Sequence, residues 1–268
     1  MKIKITEQNL ADIKSWFSAY LNTFREAGSE ILDNIKLKED HSLRVCREIV
    51  ITGRKLGLNE DELRLAEIIA LLHDTGRFEQ YARYKTFMDK KSGNHALMGI
   101  KVLREAGILE QFSDEVKELI IKPIRYHNCI VLPENETESC LFYSKLLRDA
   151  DKIDIWYILT AYYKDKSMKK NAALELELPD TPGISEAVYK DLINKRPVNM
   201  AKVHNLNDFK MLQAGWIFDI NFYPSMELVK ERRYLEIIRE NLPQSPDIDN
   251  VFSHLFQACS HYRLSDRV

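Results

Sequence analysis

Glycine and proline are scarce in this sequence, with nine and eight copies in 268 residues. Few positions therefore interrupt regular secondary structure. Between them, apolar residues recur three and four positions apart, which is the period of a helix buried on one side. No low-complexity segment or internal repeat calls for a second domain. The sequence predicts an all-α fold in a single domain spanning residues 1–268.

Long apolar runs and an excess of one charge are also missing. No stretch of about 18 apolar residues is present, as a membrane span would require, and the N-terminal MKIKITEQNL has no apolar signal segment. We therefore expect a soluble, cytoplasmic protein without a membrane partner. Lysine and arginine number 39 against 41 acidic residues. Without a basic excess, binding to long nucleic acid is not expected, and any phosphate site must be local.

The cysteines give no sign of a metal-binding or redox-active pair. The four copies, at positions 46, 129, 140 and 259, never form a CxxC pair. In a chain of this size, buried free thiols are the ordinary interpretation.

Apolar spacing and helix-end signals divide the chain into segments. They predict helices over residues 7–26, 37–56, 61–73, 95–106, 114–127 and 140–163, with Gly28, Gly57 and Gly76 ending the first three. We interpret 1–36 as an N-terminal helix, 37–160 as the core, 161–185 as a lid or loop, and 186–268 as C-terminal helices. The segment 161–185 contains the basic stretch YKDKSMKKN and the turn-forming LPDTPGIS.

Four of the seven histidines stand where a predicted helix begins, ends or turns its apolar face inward: His41, His73, His95 and His127. His41 shares one helix face with Leu37 and Val45. Taken alone, a core histidine is the more ordinary explanation for His41, and capping or surface roles are ordinary for His95 and His127.

The pair His73-Asp74 is more informative because it closes the most apolar helix of the chain, LAEIIALLH. A buried carboxylate is costly unless it is paired or binds a cation. The segment KLLRDADKIDIWYIL poses the same problem, since Asp149, Asp151 and Asp154 cannot all face solvent on one helix. A divalent cation would offset this cost.

The order of these elements resembles the HD superfamily of metal-dependent phosphohydrolases, in the form with two extra histidines. It runs from His41 through HDTGRF at 73–78, His95 and YHN at 126–128 to DADK at 149–152. The resemblance covers about residues 37–160. It implies an HD-type helical bundle with N- and C-terminal helical additions.

The resemblance also implies a ligand set. Asp74 bridges two divalent transition-metal ions, His41, His73 and Asp151 complete the shell of the first, and His95 and His127 complete that of the second. Imidazole with carboxylate suits iron, manganese, cobalt or zinc rather than magnesium alone, and of these we expect iron or manganese.

The implied reaction is cleavage of a phosphate ester or anhydride by a metal-bridging hydroxide. The expected substrate is a nucleotide or another small phosphorylated metabolite. The sequence does not identify which one. Asp74, Arg77 and Lys152 are the candidate catalytic residues, with Arg77 and Lys152 contacting the phosphate. Arg125, Asn128 and Arg148 are weaker candidates, since a solvated or salt-bridged side chain is the more ordinary explanation for each.

Two other functions stay open: a mixed-valent di-iron oxygenase with the same six ligands, and a non-catalytic nucleotide-binding protein. A homodimer is also possible, given the long apolar helix near the C-terminus. Two groups of basic residues either bind a polyphosphate or form a solvated face. The first group is Lys164, Lys166, Lys169 and Lys170, and the second is Lys195 and Arg196.

Overall fold

The computed structural model describes residues 3–24, 28–165 and 171–262. Regular structure in these ranges is entirely helical, so the predicted all-α fold is confirmed. The chain divides into two compact units, Met1–Asp151 and Lys152–Val268, with the boundary inside one long helix. The prediction that the whole chain is one domain stays a prediction.

The first unit carries helices α1 to α7 and the first part of α8. Their bounds are α1 Glu7–Asn22, α2 Ser29–Lys55, α3 Glu60–Leu72, α4 Thr75–Tyr84, α5 Asp89–Ser92, α6 His95–Glu105, α7 Asp114–Tyr126 and α8 Glu138–Lys164.

Helix α3 is the centre of the first unit. The Asn59 side chain accepts hydrogen bonds from the backbone of Asp61 and Glu62, and the Glu62 carboxylate accepts one from the Asn59 backbone, which fixes the start of the helix. From Leu63 to Leu72 nearly every side chain is buried. The helix packs against α1, α2 and α7, so its C-terminal end lies deep in the unit.

Helix α2 is longer than predicted. It begins at Ser29 rather than at Leu37. Ile35 is buried, and the chain upstream of Leu37 continues the same apolar spacing. The prediction placed the start too late because the apolar spacing was taken to begin only at Leu37. Helix α1 ends at Asn22, whereas the prediction extended it to residue 26.

The prediction that Gly76 ends the third helix is wrong. Helix α3 ends at Leu72, and Gly76 lies inside the next helix, α4. A side chain at Gly76 would meet the carbonyl oxygen of His95 at 2.1 Å and the amide nitrogen of Gly99 at 2.5 Å. Glycine is therefore required because α4 and α6 touch backbone to backbone. Neither α4 nor the short α5 was predicted.

The second unit is built from the rest of α8 and six further helices. These are α9 Ala172–Glu175, α10 Glu186–Ile193, α11 Leu206–Gly215, α12 Tyr223–Glu231, α13 Tyr234–Glu240 and α14 Pro246–His261, with 3₁₀ turns at Met200–Lys202 and Trp216–Asp219. Its core is centred on fully buried Trp156, whose indole Nε1 donates to the carbonyl of Gln213.

Part of the predicted lid lies outside the described residues. Lys166, Lys169 and Lys170 of the basic stretch fall there, and the helix α9 occupies Ala172–Glu175 within the segment predicted as a loop. Within the described part of the chain, no helix is both long and apolar enough to cross a bilayer.

Candidate metal centre

Each of the six predicted metal ligands lies in or next to a different helix of the first unit, and the six side chains meet at a common point. His41 lies in α2, His73 caps the C-terminal end of α3, Asp74 precedes α4, His95 opens α6, His127 caps the C-terminal end of α7, and Asp151 lies in α8. Their ligand atoms form three overlapping groups of three, and the atoms within each group lie within 4.8 Å of one another. The structure thus brings all six predicted ligands together.

Asp74 stands between two pairs of imidazoles. Its Oδ2 atom lies 3.5 Å from Nε2 of His41 and 3.6 Å from Nε2 of His73. Its Oδ1 atom lies 3.4 Å from Nε2 of His95 and 3.7 Å from Nε2 of His127. Each carboxylate oxygen therefore faces a different pair of nitrogen donors.

Asp151 closes one side of the cluster. Its Oδ1 atom lies 3.2 Å from Nε2 of His41 and 3.7 Å from Nε2 of His73. Two carboxylates and two imidazoles thus surround one point, and Asp151 has no comparable contact with His95. This asymmetry distinguishes the His41 side of Asp74 from the His95 side.

Hydrogen bonds fix the orientation of three of the imidazoles. Nδ1 of His73 donates to the carbonyl of Ala70 at 2.7 Å, and Nδ1 of His127 donates to the carbonyl of Ile124 at 2.7 Å. Nδ1 of His95 donates to Asp89, 2.8 Å from Oδ2. With the proton assigned to Nδ1 by these acceptors, Nε2 carries a lone pair that points into the cluster.

Two features of these nitrogens call for a cation. Nε2 of His73 is fully buried and has no hydrogen-bond partner among the described residues. Nε2 of His95 faces Nε2 of His127 at 2.9 Å, although neither nitrogen carries a proton in the tautomers assigned above. Two nitrogen donors at right angles on one ion with bonds of about 2.1 Å would be about 3 Å apart. The spacing therefore suits a shared metal ion.

Both buried carboxylates are held in the charged form. Burial acts to raise the pKa of Asp74, but Lys38, His73, His127 and Arg77 together outweigh it, so that the pKa lies well below the usual range. Burial opposes ionisation of Asp151 in the same way, and its contacts with His41 and His73 lower its pKa. The centre therefore contains fixed negative charge.

The pKa values of two histidines shift in opposite directions. Burial acts to lower the pKa of His73, but the Asp74 and Asp151 carboxylates and the Ala70 carbonyl together more than offset it, so the pKa lies above the ordinary value. Burial together with the charge of Arg77 lowers the pKa of His95 to about 3. His95 is therefore a neutral imidazole at neutral pH, which is the form that binds metals.

Lys38 belongs to the site and was not predicted. Its ammonium Nζ donates to Oδ2 of Asp74 at 2.7 Å. Lys38 precedes His41 by three residues in α2, and residues at this spacing lie on the same helix face. The helical spacing from His41 is the sequence signal that could have identified it.

Asp89 is a second residue that sequence reasoning missed. It accepts hydrogen bonds from Nδ1 of His95, from Arg77 at 3.1 Å and from Gln80 at 2.9 Å. Burial acts to raise the pKa of Asp89, but the hydrogen bond from His95 and its neighbouring charges bring it down to about 2. Asp89 is therefore a charged acceptor that holds His95 in place.

Arg77 and Lys152, the two predicted phosphate contacts, have different partners in the structure. Arg77 donates to Gln80, to the carbonyl of Phe87 and to Asp89, and its Nε lies 3.7 Å from Oδ1 of Asp74. Lys152, the first residue of the second unit, pairs with Asp219 at 2.7 Å.

The three weaker candidates differ in exposure. Arg125 is exposed. Asn128 donates to Asp89 and Asn94 at 3.3 Å. Arg148 is buried and donates to backbone carbonyls at the end of α7, including that of His127 at 3.2 Å. These contacts give Arg148 a part in positioning His127.

The residues present fit a metal site. Imidazole nitrogens and carboxylate oxygens are the donors that iron, manganese, cobalt and zinc accept. Three of the four imidazoles are oriented by acceptors at Nδ1, as is usual for metal-binding histidines. The lone pair of His73 Nε2 and the facing nitrogens of His95 and His127 both lack a positive partner that a metal ion would supply.

Comparison with protein families gives one match. A family model described as HD domain matches residues 39–156, a segment that contains all six clustered residues. The comparisons with curated proteins and with solved structures gave no match. The match supports the HD superfamily, and together with the helical architecture it shows that this part of the chain folds as an all-α, HD-type domain.

Proposed function

We propose that this protein is a metal-dependent phosphohydrolase that holds two divalent transition-metal ions, iron or manganese, and cleaves a phosphate ester or anhydride. The substrate would be a nucleotide or another small phosphorylated metabolite. The observation that carries the proposal is Asp74, whose two carboxylate oxygens each face a separate pair of histidine nitrogens. The HD domain family consists largely of metal-dependent hydrolases.

The ligands divide into two shells on either side of Asp74. His41, His73 and Asp151 would hold one ion, and His95 with His127 would hold the other. When bound, the two ions would lower the pKa of a water so that hydroxide forms near neutral pH, and would neutralise the phosphoryl oxygens. The protein then needs no nucleophilic side chain of its own.

Charge around the cluster supports an anionic substrate. The carboxylates of Asp74, Asp89 and Asp151 outnumber the two cations beside them, Lys38 and Arg77, by one. Binding of two divalent cations would reverse the sign of the cluster. A positively charged, largely buried centre attracts a phosphate group more strongly than it would at an exposed surface.

Arg77 and Lys152 remain the predicted phosphate contacts. Arg77 is held by Asp89 and by the carbonyl of Phe87, which would present a guanidinium at a fixed place beside Asp74. Lys152 follows Asp151 directly in α8, and its assignment rests on this adjacency. Arg125 and Asn128 stay weaker candidates.

The test combines metal analysis with a substrate screen. Purified protein loaded with Mn²⁺ or Fe²⁺ should contain two ions per chain and release phosphate from members of a panel of nucleotides and sugar phosphates. Asp74→Ala should lose both ions and all turnover, since among the described residues Asp74 is the carboxylate whose two oxygens lie within 3.7 Å of all four histidines. The matched control is Asp114→Ala. The carboxylate of Asp114 is almost fully exposed, so this variant should keep both ions and full turnover.

Two outcomes would overturn parts of the proposal. Full metal content in Asp74→Ala would contradict the bridging role. Oxygen uptake that depends on an added substrate, without phosphate release, would instead assign the centre to a di-iron oxygenase, which the same six ligands could serve.

A further inference from the structure

Lys38 lies in the cluster but has no assigned role in the proposed reaction. Its ammonium and the imidazole of His41 approach the same oxygen of Asp74, at 2.7 Å and 3.5 Å. Asp74 is its one ion-pair partner among the described residues. The oxygen to which Lys38 donates is therefore the oxygen that would bind the ion on the His41 side.

The surroundings of Lys38 place it at the edge of the cluster. Its side chain is 17% exposed, whereas that of Asp74 is 4% exposed. The ammonium also lies 5.5 Å from the centre of the Phe87 ring, close enough for a cation–π contact. Arg77 lies against the same ring, but it is fixed by three acceptors. Among the described residues, Lys38 thus makes fewer hydrogen bonds than Arg77.

Metal binding would leave Lys38 in a conflict of charge. Once Oδ2 of Asp74 is shared with a divalent cation, the ammonium of Lys38 stands close to that cation, and two positive charges only a few ångströms apart repel. The flexible lysine stem allows the ammonium to move away from Asp74. An anionic oxygen placed between the ammonium and the metal would remove the conflict.

We propose that Lys38 exchanges partners during function. In the metal-free protein it neutralises Asp74, and in the metal-loaded protein it contacts a phosphoryl oxygen of the substrate. This inference rests on the proposed phosphohydrolase function and adds a phosphate-binding residue that the HDTGRF and DADK segments do not contain. The same side chain would thereby stabilise the site before loading and recognise phosphate after it.

The decisive experiment measures binding of inorganic phosphate to protein loaded with Mn²⁺ and freed of excess metal, using titration calorimetry. Lys38→Met should keep the full metal content but bind phosphate roughly tenfold or more weakly, the loss expected for one hydrogen bond to a charged group. Lys38→Arg should restore most of the binding, because it keeps the positive charge. In chelator, Lys38→Met should unfold at a lower temperature than the wild type.

Lys36→Met is the matched control. Lys36 lies on the same helix, and its ion pairs within the described part of the chain are with Glu39 and Asp40 at the surface, so its loss should change neither phosphate binding nor metal content. Circular dichroism would verify that each variant is folded, and Lys38→Arg provides the comparison if Lys38→Met does not fold.

Three results would separate the possible failures. If wild-type protein binds no metal, the proposed function fails and this inference fails with it. If the wild type binds metal and phosphate, and Lys38→Met binds phosphate equally well, only the phosphate role of Lys38 is overturned. Lower stability of Lys38→Met in chelator with unchanged phosphate binding would leave Lys38 as a structural counterion alone.

Discussion

The carboxylate of Asp89 shows how a residue outside the proposed ligand set would control the proposed metal centre. It accepts the Nδ1 proton of His95 and also holds Arg77 and Gln80. The acceptor at Nδ1 decides which nitrogen of His95 keeps its lone pair. Without it, His95 could rotate or place its proton on Nε2, and neither form would bind an ion beside His127.

Asp89→Ala should therefore weaken binding of the ion on the His95 side more than binding of the ion on the His41 side. Loss of such an acceptor typically reduces metal affinity by about 10- to 100-fold. Titration of metal-free protein with Mn²⁺ should then show one strong and one weakened site. Asp33→Ala removes an exposed carboxylate of α2 and should leave both sites strong. Equal affinities at both sites in Asp89→Ala would contradict the orienting role.

Individual ligands were the most predictable part of the site. His73-Asp74 was singled out because a carboxylate in a strongly apolar helix needs a cation. The choice of Asp151 among three aspartates, and the remaining histidines, followed from the family resemblance. Asp89 gave no such signal, since it opens a helix of only four residues, α5, in a segment without helical periodicity. Its role depends on the return of the chain from α4 to α6, which spacing alone does not show.

At the level of elements, the pairing of α4 with α6 sets the distance between the two halves of the centre. Asp74 immediately precedes α4 and His95 opens α6. Gly76 and Gly99 let the two backbones touch, because a side chain on either one would clash with the backbone of the other helix. The helix contact therefore determines how closely His95 approaches Asp74.

Gly76→Ala should separate these helices. Its methyl group would lie 2.1 Å from the carbonyl oxygen of His95, and backbone atoms cannot yield as a flexible side chain can. We expect a loss of about 1–3 kcal/mol or more in the free energy of unfolding, together with loss of the ion on the His95 side. Chemical denaturation and metal analysis would measure these two effects.

Gly28→Ala is the control for this substitution. A side chain at Gly28 would meet nothing within 4 Å, and its φ of −57° suits alanine. Because Gly28 is the N-cap of α2, alanine should cost at most about 1 kcal/mol of capping free energy, so the denaturation midpoint should fall less than that of Gly76→Ala. Similar midpoints for the two variants would show that the contact between α4 and α6 tolerates a side chain at Gly76.

Helix positions were easier to predict than helix ends. The predicted bounds of α3 and α6 differ from the structure by one residue at most, because side-chain caps at Asn59 and Asn94 mark their starts. The error at Gly76 arose because the sequence does not distinguish a glycine that ends a helix from one that allows two helices to touch. That distinction depends on a neighbour far along the chain.

At the scale of the whole molecule, the near balance of charge agrees with a site that recognises phosphate locally. The formal net charge is −2, so the protein as a whole offers no general attraction for anions. Attraction must come from the cluster itself, and metal loading is what would provide it. The all-α class followed from composition and periodicity, whereas the division into two compact units had no counterpart in the sequence pattern.

Metal loading should also be visible in the stability of the protein. In the metal-free centre the facing nitrogens of His95 and His127 lack a cation between them, and this arrangement opposes folding. An ion that binds the folded chain alone adds about 2.7 kcal/mol when its concentration is 100 times the dissociation constant. We expect Mn²⁺ to raise the midpoint of thermal unfolding by roughly 5–10 °C over chelator-treated protein.

Differential scanning calorimetry would measure this shift. Asp74→Ala should show none, because it removes the carboxylate common to both shells, and Asp114→Ala should show the full effect. A midpoint of the wild-type protein that is the same in Mn²⁺ or Fe²⁺ and in chelator would mean that the six clustered side chains pack against one another without a metal. In that case the buried charge would have to be balanced by Lys38, Arg77 and protonated histidine alone.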